Sequence, residues 1–387
     1  MRRSQSRSVQ VRSIFVLFGF YALLGFVDAA FGVNFDGLLK RHNLPPAALA
    51  WALLVGTAAA LPLLWFGGHK LAQLPKRRAL AAVGLLTPVA AWGLIGSSLP
   101  LTFLLSVVLL VVLTAALDGV ANAAALDVEA ASGEPVLGRV QAGLAVGAVA
   151  GAAAGGLAAG RELLPVLGVL IAVAGVALAL GASTLSRRTA PHARQAARPR
   201  AGGAFVLIGA GAVGVYYVEG MLGSWAPLFL QREIGAAADV AGFVTSAYYV
   251  MFGLGAAASV LLVRRFGARV TLRVLSAMGA AAAVMLGSAW SVWVAGAAML
   301  LMGVSTAGIM PTLLRLGARS GLGCSASAYL TTFAYGGMLL EPLVVSVGGD
   351  SLRGAFWTLP VALVVTYGVT LARPRGAPVT APAPAGD

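Results

Sequence analysis

Cysteine is almost missing from this chain. Cys324 stands alone among 387 residues, so an internal disulfide is impossible and no cysteine cluster can hold a metal. Charge is scarce too: Asp, Glu, Lys and Arg make up 10% of the residues, where a soluble globular protein carries about a quarter. The three histidines, His42, His69 and His192, are too scattered for a ligand set. No G-x-x-x-x-G-K-[ST] run occurs, so the chain has no phosphate loop and no nucleotide-hydrolysis engine of its own. Gly209, Gly211 and Gly214 do spell G-x-G-x-x-G, but inside an apolar run with no strand before it, which argues against dinucleotide binding. No cofactor and no enzymatic chemistry are expected.

What remains is strongly apolar. Hydrophobic residues are 59% of the chain and the mean hydropathy is +0.90. Apolar runs of about 20 residues recur from Ser13 to Leu371, the length needed to cross a bilayer as a helix. A barrel strand would instead alternate apolar and polar over about ten residues. The runs predict an all-α membrane protein of twelve spans, near 13–35, 46–67, 79–97, 99–126, 136–160, 163–185, 204–230, 238–262, 270–288, 290–314, 323–347 and 353–371. Arg2-Arg3 before the first run resembles a signal peptide, but the run is long and contains Asp28. It is read as a retained helix.

The net charge of +14 does not point to nucleic acid, because the basic residues sit in short loops between spans. They also sit on alternate loops. Of all the Lys and Arg, only Lys40, Arg41, Arg161, Arg232 and Arg353 fall on the side opposite the N-terminus. Positive loops mark the cytoplasmic side, so both termini are expected there. Residues 186–203 are polar and basic, and they divide the chain into an N-terminal six-helix bundle (1–185) and a C-terminal one (204–375). A disordered cytoplasmic tail is expected over 376–387. Asp28 and Glu219 fall at similar depths 191 residues apart, and the same offset carries the basic stretch Lys76–Arg78 into the basic stretch Gly267–Arg269. Two related halves arranged in parallel are the plan of a large class of transporters.

Four acids stand inside apolar spans: Asp28, Asp118, Glu219 and Glu341. Hydrocarbon makes a carboxylate costly, so an intramembrane acid marks transport, proton transfer or a buried pair. No Lys or Arg lies deep in any span to supply the pair. Asp118, Asn122 and Glu129 share one helical stripe, which would bring them to one side. Glu219 lies beside Tyr216 and Tyr217, with Trp225 further along. Aromatics near an acid suit a hydroxylated or a cationic solute. Trp225 fits an interfacial belt equally well. Glu341 precedes Pro342, where an acid at a bend could gate or coordinate, or could sit harmlessly near the headgroups. Asp127 and Glu129 read as solvated helix-end charges or as partners of Arg139. Gly143, Gly147, Gly151 and Gly155 recur every four residues and predict close helix packing.

Several local motifs then carry a family resemblance. GFVDAAFGVNF around Asp28, LDGVANAAALDVE from Asp118 through Asn122 to Glu129, VEGMLGSWAPLFL with Glu219 and Trp225, and TTFAYGGMLLEP with Tyr335 and Glu341 are similar to the fucose-permease-like branch of the major facilitator superfamily. Departures are clear. Ala123 stands where that branch has proline. Glu341 stands where glycine is expected. The superfamily's loop motif is degraded to GGHKLAQLPKRR, without its aspartate. The resemblance implies two pseudo-symmetric six-helix bundles, a proton-coupled permease and a sugar-like solute. It implies proton coupling at Asp28, Asp118 and Glu219, with Asn122, Tyr216, Trp225, Tyr335 and Glu341 near the solute. It also implies a monomer in a bacterial cytoplasmic (inner) membrane, with solute, protons and lipid as its partners. The glycine run further resembles the helix 5 signature of drug-efflux antiporters, with Ala152 in place of its proline. Efflux antiport is therefore one alternative, and a non-transporting receptor or scaffold another.

Overall fold

The computed structural model describes residues 2–65, 75–132, 136–185, 203–317, 325–348 and 351–371. The central linker, apart from residue 203, and the C-terminal tail expected from the sequence lie outside them. The described residues form helices and connecting turns, with no strand among them. Among the described residues, ten helices are long and apolar enough to cross a membrane, and two shorter apolar ones complete twelve. This is a multi-pass membrane protein.

We number the spanning helices in chain order: α1 (Arg2–Arg41), α2 (Pro46–Trp65), α3 (Lys76–Gly96), α4 (Pro100–Ser132), α5 (Leu137–Gly160) and α6 (Leu164–Gly181). The second set has three interrupted members. α7 runs Gly203–Gly220, passes through a π-helical turn at Met221–Trp225 and resumes over Ala226–Arg232. α8 (Ala238–Phe266) and α9 (Ala268–Gly287) follow. α10 is split into Val292–Thr306 and Ile309–Gly317. α11 spans Ser325–Val347, and α12 is split into Leu352–Phe356 and Leu359–Gly368. The face where α1 starts is called the near face here, and the opposite one the far face.

Local chemistry explains most boundaries. Pro46 and Pro100 open α2 and α4, where a missing N–H costs nothing. Ser291 caps α10, its Oγ accepting from the Val294 N–H at 3.4 Å. One residue, Gly267, joins α8 to α9 at φ +81°, a left-handed geometry that favours glycine. The π turn of α7 lies just ahead of Pro227, which has no N–H to give back to the carbonyl of Gly223. A Cβ placed on Gly32 of α1 would come within 2.9 Å of that same carbonyl oxygen, so α1 crosses α7 closely there.

The packing repeats. α1 lies on α5, α2 on α4, and α3 on α4 and α6. The pattern returns as α7 on α11, α8 on α10, and α9 on α10 and α12. The two bundles meet through α2 with α11 and α5 with α8, a pair of contacts that the same two-fold exchanges. Within the first bundle, the glycines of α5 form a ladder on α1. A Cβ on Gly143, Gly147, Gly151 or Gly155 would strike the backbone of Phe18, Ala22, Phe26 or Ala30 in turn. Close backbone approach of this kind is how helices associate where lipid removes the hydrophobic drive. Large apolar side chains such as Phe15, Leu180, Trp293 and Val347 point outward, more than two-thirds exposed, as a lipid-facing surface requires.

Candidate functional site

The acids converge on the seam between the bundles. Asp28 lies midway along α1, with Val27, Ala29 and Ala30 fully buried around it, yet its own side chain is exposed. It therefore faces an internal hollow. Asp118 of α4 accepts a hydrogen bond from Asn122 Nδ2 at 2.9 Å through Oδ1, and one from the Tyr335 hydroxyl of α11 at 3.4 Å through Oδ2. Asn122 Oδ1 in turn accepts from the Tyr21 hydroxyl of α1 at 2.6 Å and from Gln141 Nε2 of α5 at 3.1 Å. This network joins three helices of the first bundle to one of the second.

The second bundle contributes its own acids. Glu219 of α7 is half-buried, and Tyr216 one turn back is within electrostatic reach of both Glu219 and Asp118. Tyr249 of α8 is within electrostatic reach of Asp28, Glu219 and Glu341. Glu341 of α11 is only 7% exposed, and its Oε2 is buried with no hydrogen-bond partner among the described residues. A Cβ on Gly220 would strike that carboxylate, so glycine leaves room for it beside α7. None of the four acids forms an ion pair with a described Lys or Arg. The described cations lie within about two turns of the span ends, and Lys40, Lys76, Arg232 and Arg353 pair there with Asp36, Asp127, Asp36 and Glu233.

The far face is closed over this space. Arg232 at the end of α7 pairs with Asp36 of α1 at 2.6 Å, crossing from one bundle to the other. Asp36 also holds Lys40 at 2.7 Å. Gln231 Nε2 donates to the Val33 carbonyl at 2.8 Å, and Ser246 Oγ donates to the Val149 carbonyl at 2.9 Å. Gly156 and Gly242 bring α5 and α8 into backbone contact beside these bonds. Among the described residues, α4 and α10 make no comparably extended contact across the seam.

The other sequence-derived candidates fall as follows. Tyr216 is half-buried in the seam. Trp225 is fully buried at the π turn, its indole N–H without a partner among the described residues, and so is not an interfacial belt residue. Glu341 is buried rather than set at the headgroups. Asp127 pairs with Lys76 rather than standing free at a helix end. Glu129 leaves the stripe's direction in function: its Oε2 accepts from the Val136 and Leu137 N–H groups at 2.8 and 3.2 Å and caps the start of α5. The G-x-G-x-x-G glycines pack against Phe333, Val369 and Thr366. Sequence reasoning passed over Tyr21, Gln141, Tyr249, Asp36 and Arg232. Only a partner search among spans could have singled them out.

No family model matches the chain, and no curated protein matches it. Solved structures do. A bacterial homologue of the human lysosomal transporter Spinster, in an inward-facing and occupied conformation, superposes with a TM-score of 0.69 at 15% identity, covering 92% of this chain and 94% of that one. The nucleoside transporter NupG gives 0.68 at 13% identity, with 94% and 98% covered. The major facilitator superfamily transporter FucP, in its outward conformation, gives 0.61 at 13% identity, with 94% and 99% covered. The fold is that of the major facilitator transporters, as the sequence motifs implied.

Proposed function

We propose that this chain is a secondary active transporter that moves a small solute by alternating access and couples that movement to protons. The observation that carries the reading is an acid-lined hollow at the junction of two bundles, closed at one face by a few polar contacts between them. The fold shared with transporters supports it. The charge asymmetry of the loops supports a near face, with both chain ends, on the cytoplasmic side. The state described here is then closed to the outside. The protein works as a monomer, each chain holding a complete seam.

The mechanism follows from the seam. The solute binds between the bundles, touching Asp28 from one side and Glu219 and Glu341 from the other. Asp118 is tied across the seam by the Tyr335 hydroxyl. A proton on Asp118 takes one of its two acceptor oxygens out of use and competes with that tie. Protonation thus changes the relative stability of the two states, and the solute does the same by contacting both bundles. Reversal requires the Asp36–Arg232 pair and the Gln231–Val33 bond to open. Asn122 and Gln141 orient Asp118 and Tyr21. In reconstituted vesicles, solute accumulation should follow an imposed pH gradient. Asp118→Asn should keep solute exchange while losing gradient-driven accumulation. Uptake indifferent to the gradient would end the coupling claim.

Efflux antiport remains the second reading, favoured by acids and aromatics sharing one hollow. Inverting the gradient in vesicles separates import from export. The glycine ladder of α5 does not add to that reading, because its contacts with α1 already account for it.

A further inference from the structure

A slot opens to the lipid between α11 and α12. Both helices flank α7. Among the described residues, the Leu359–Gly368 piece of α12 makes no extended contact with α11; the Leu352–Phe356 piece meets it, toward the far face. The gap measures about 400 Å³, and Val206, Ala210, Val213 and Tyr217, one stripe of α7, form its floor. Phe333 and Leu340 make one wall, Ala362 and Val365 the other. Val206, Leu340 and Val365 are exposed at the rim. Gly214 keeps the floor close to α12: a Cβ there would come within 2.9 Å of the Ala362 carbonyl oxygen. Tyr217 has the one polar side chain in the lining. Its hydroxyl donates to Thr358 Oγ1, whose own proton goes to the Ala355 carbonyl. The slot therefore offers nothing to a polar ligand.

Its length and its rim say what fills it. Val206 to Tyr217 covers about 16 Å of helix, close to half of the roughly 30 Å hydrocarbon core. Val206 lies one turn inside the near face, so the slot is as deep as one leaflet. Water would find no polar partner there, and an empty gap would forfeit contacts along both walls. An acyl chain lying along α7 meets both limits. The rim has one sign of charge. Among the described residues of the second bundle, Glu219, Glu233, Asp239 and Glu341 lie in mid-span or at the far face, while Arg264, Arg265, Arg269, Arg273 and Arg315 lie at the near face. Arg273 is held at the near end of α12: its Nε and Nη2 donate to the Oγ1 and carbonyl of Thr370 at 3.2 and 3.4 Å. Thr370 is about one turn beyond Val365. Basic groups between helices at the membrane surface are what hold anionic headgroups. We infer that this slot is a binding site for one anionic phospholipid, with a chain of the near leaflet along α7 and the phosphate at Arg273. The inference goes beyond the carrier reading and stands apart from it.

Native mass spectrometry tests this. The full-length protein is reconstituted in nanodiscs holding equal amounts of phosphatidylglycerol and phosphatidylcholine with identical chains, then released into mild detergent and weighed. The expected result is one retained phosphatidylglycerol per chain, favoured over phosphatidylcholine by about fivefold or more, the worth of one arginine at the surface. Arg273→Gln should abolish the preference. Ala210→Phe and Ala362→Leu fill the slot from floor and wall, and each should lose both lipids. Val173→Phe, on the exposed outer face of α6, should retain lipid as the parent does. Thermal unfolding checks that each variant is folded. If neither filling variant folds, the preference of the parent and its loss in Arg273→Gln still decide. Equal retention of the two lipids by the parent, an unchanged preference in folded Arg273→Gln, or retention unmoved in a folded filling variant would overturn the inference. So would a mass of two chains without lipid, which would make a second copy of this chain the occupant.

Discussion

Arg232→Ala removes the ion pair that ties the bundles at the far face. Its worth can be reasoned from its setting. The Asp36 side chain is 5% exposed and that of Arg232 is 23% exposed, with 2.6 Å between Nε and Oδ1. Fully exposed pairs contribute about 0.2–1 kcal/mol. Removing one partner from a buried pair costs about 3–5 kcal/mol. This pair lies between those limits, and Lys40 stays behind as a partial replacement, although it is 68% exposed. About 2 kcal/mol is the reasonable middle, which is roughly a 30-fold shift between closed and open far-face states. Lys40→Ala should shift the same balance by less than about threefold. Spin labels at Leu99→Cys and Trp290→Cys, two exposed far-face positions on different bundles, report it by pulsed dipolar spectroscopy in a Cys324→Ser background. The prediction is a new long-distance population in Arg232→Ala. A distance distribution identical to that of the parent, in a folded protein, would refute the role given to this pair.

Further expectations come from the packing. Gly147→Ala puts a Cβ into the backbone of Ala22 and should cost about 3 kcal/mol in stability, the upper end for overpacking. Gly253→Ala, with open space around it, should unfold within a degree or two of the parent on the order of what surface changes do. Asp127→Ala strands Lys76, which is 8% exposed, and should lower thermal stability by about 3 kcal/mol. The double variant Lys76→Met with Asp127→Leu should recover most of that; equal loss in both would mean the pair itself is the stabilising element. Tyr335→Phe removes the hydroxyl that reaches Asp118 across the seam. It should shift the pH dependence of transport in vesicles while leaving folded yield unchanged, and an unmoved profile would count against that bond.

The span count was readable because each apolar helix must satisfy its own backbone groups in lipid, so hydropathy reports length directly. Charge alternation in the same short loops adds an expected orientation. The glycine ladder was readable as packing because its four-residue period is local to one helix. Pairings were not. Tyr335 and Asp118 are 217 residues apart, and Arg232 and Asp36 are 196 apart. Nothing in either helix alone tells which way it is turned in the bundle. Glu129 illustrates the limit. Its stripe position suggested the hollow, but the chain turns so soon after α4 that its carboxylate reaches the first N–H groups of α5 instead. The break in α7 was also hidden, since Pro227 alone does not say whether a helix kinks, stops or widens into a π turn.

The most direct measurement is thiol labelling from each side of the membrane. Gln141→Cys sits on the exposed limb of the hydrogen-bond network, and Val33→Cys sits under the far-face closure. In a Cys324→Ser background, a membrane-impermeant maleimide should modify position 141 from the near face and leave position 33 protected from the far face. Adding Arg232→Ala should reverse the two rates together. Position 33 open from the far face while position 141 stays equally open from the near face would describe a continuous pore. Rates that never change in either direction would describe a static scaffold, and each result would contradict a carrier.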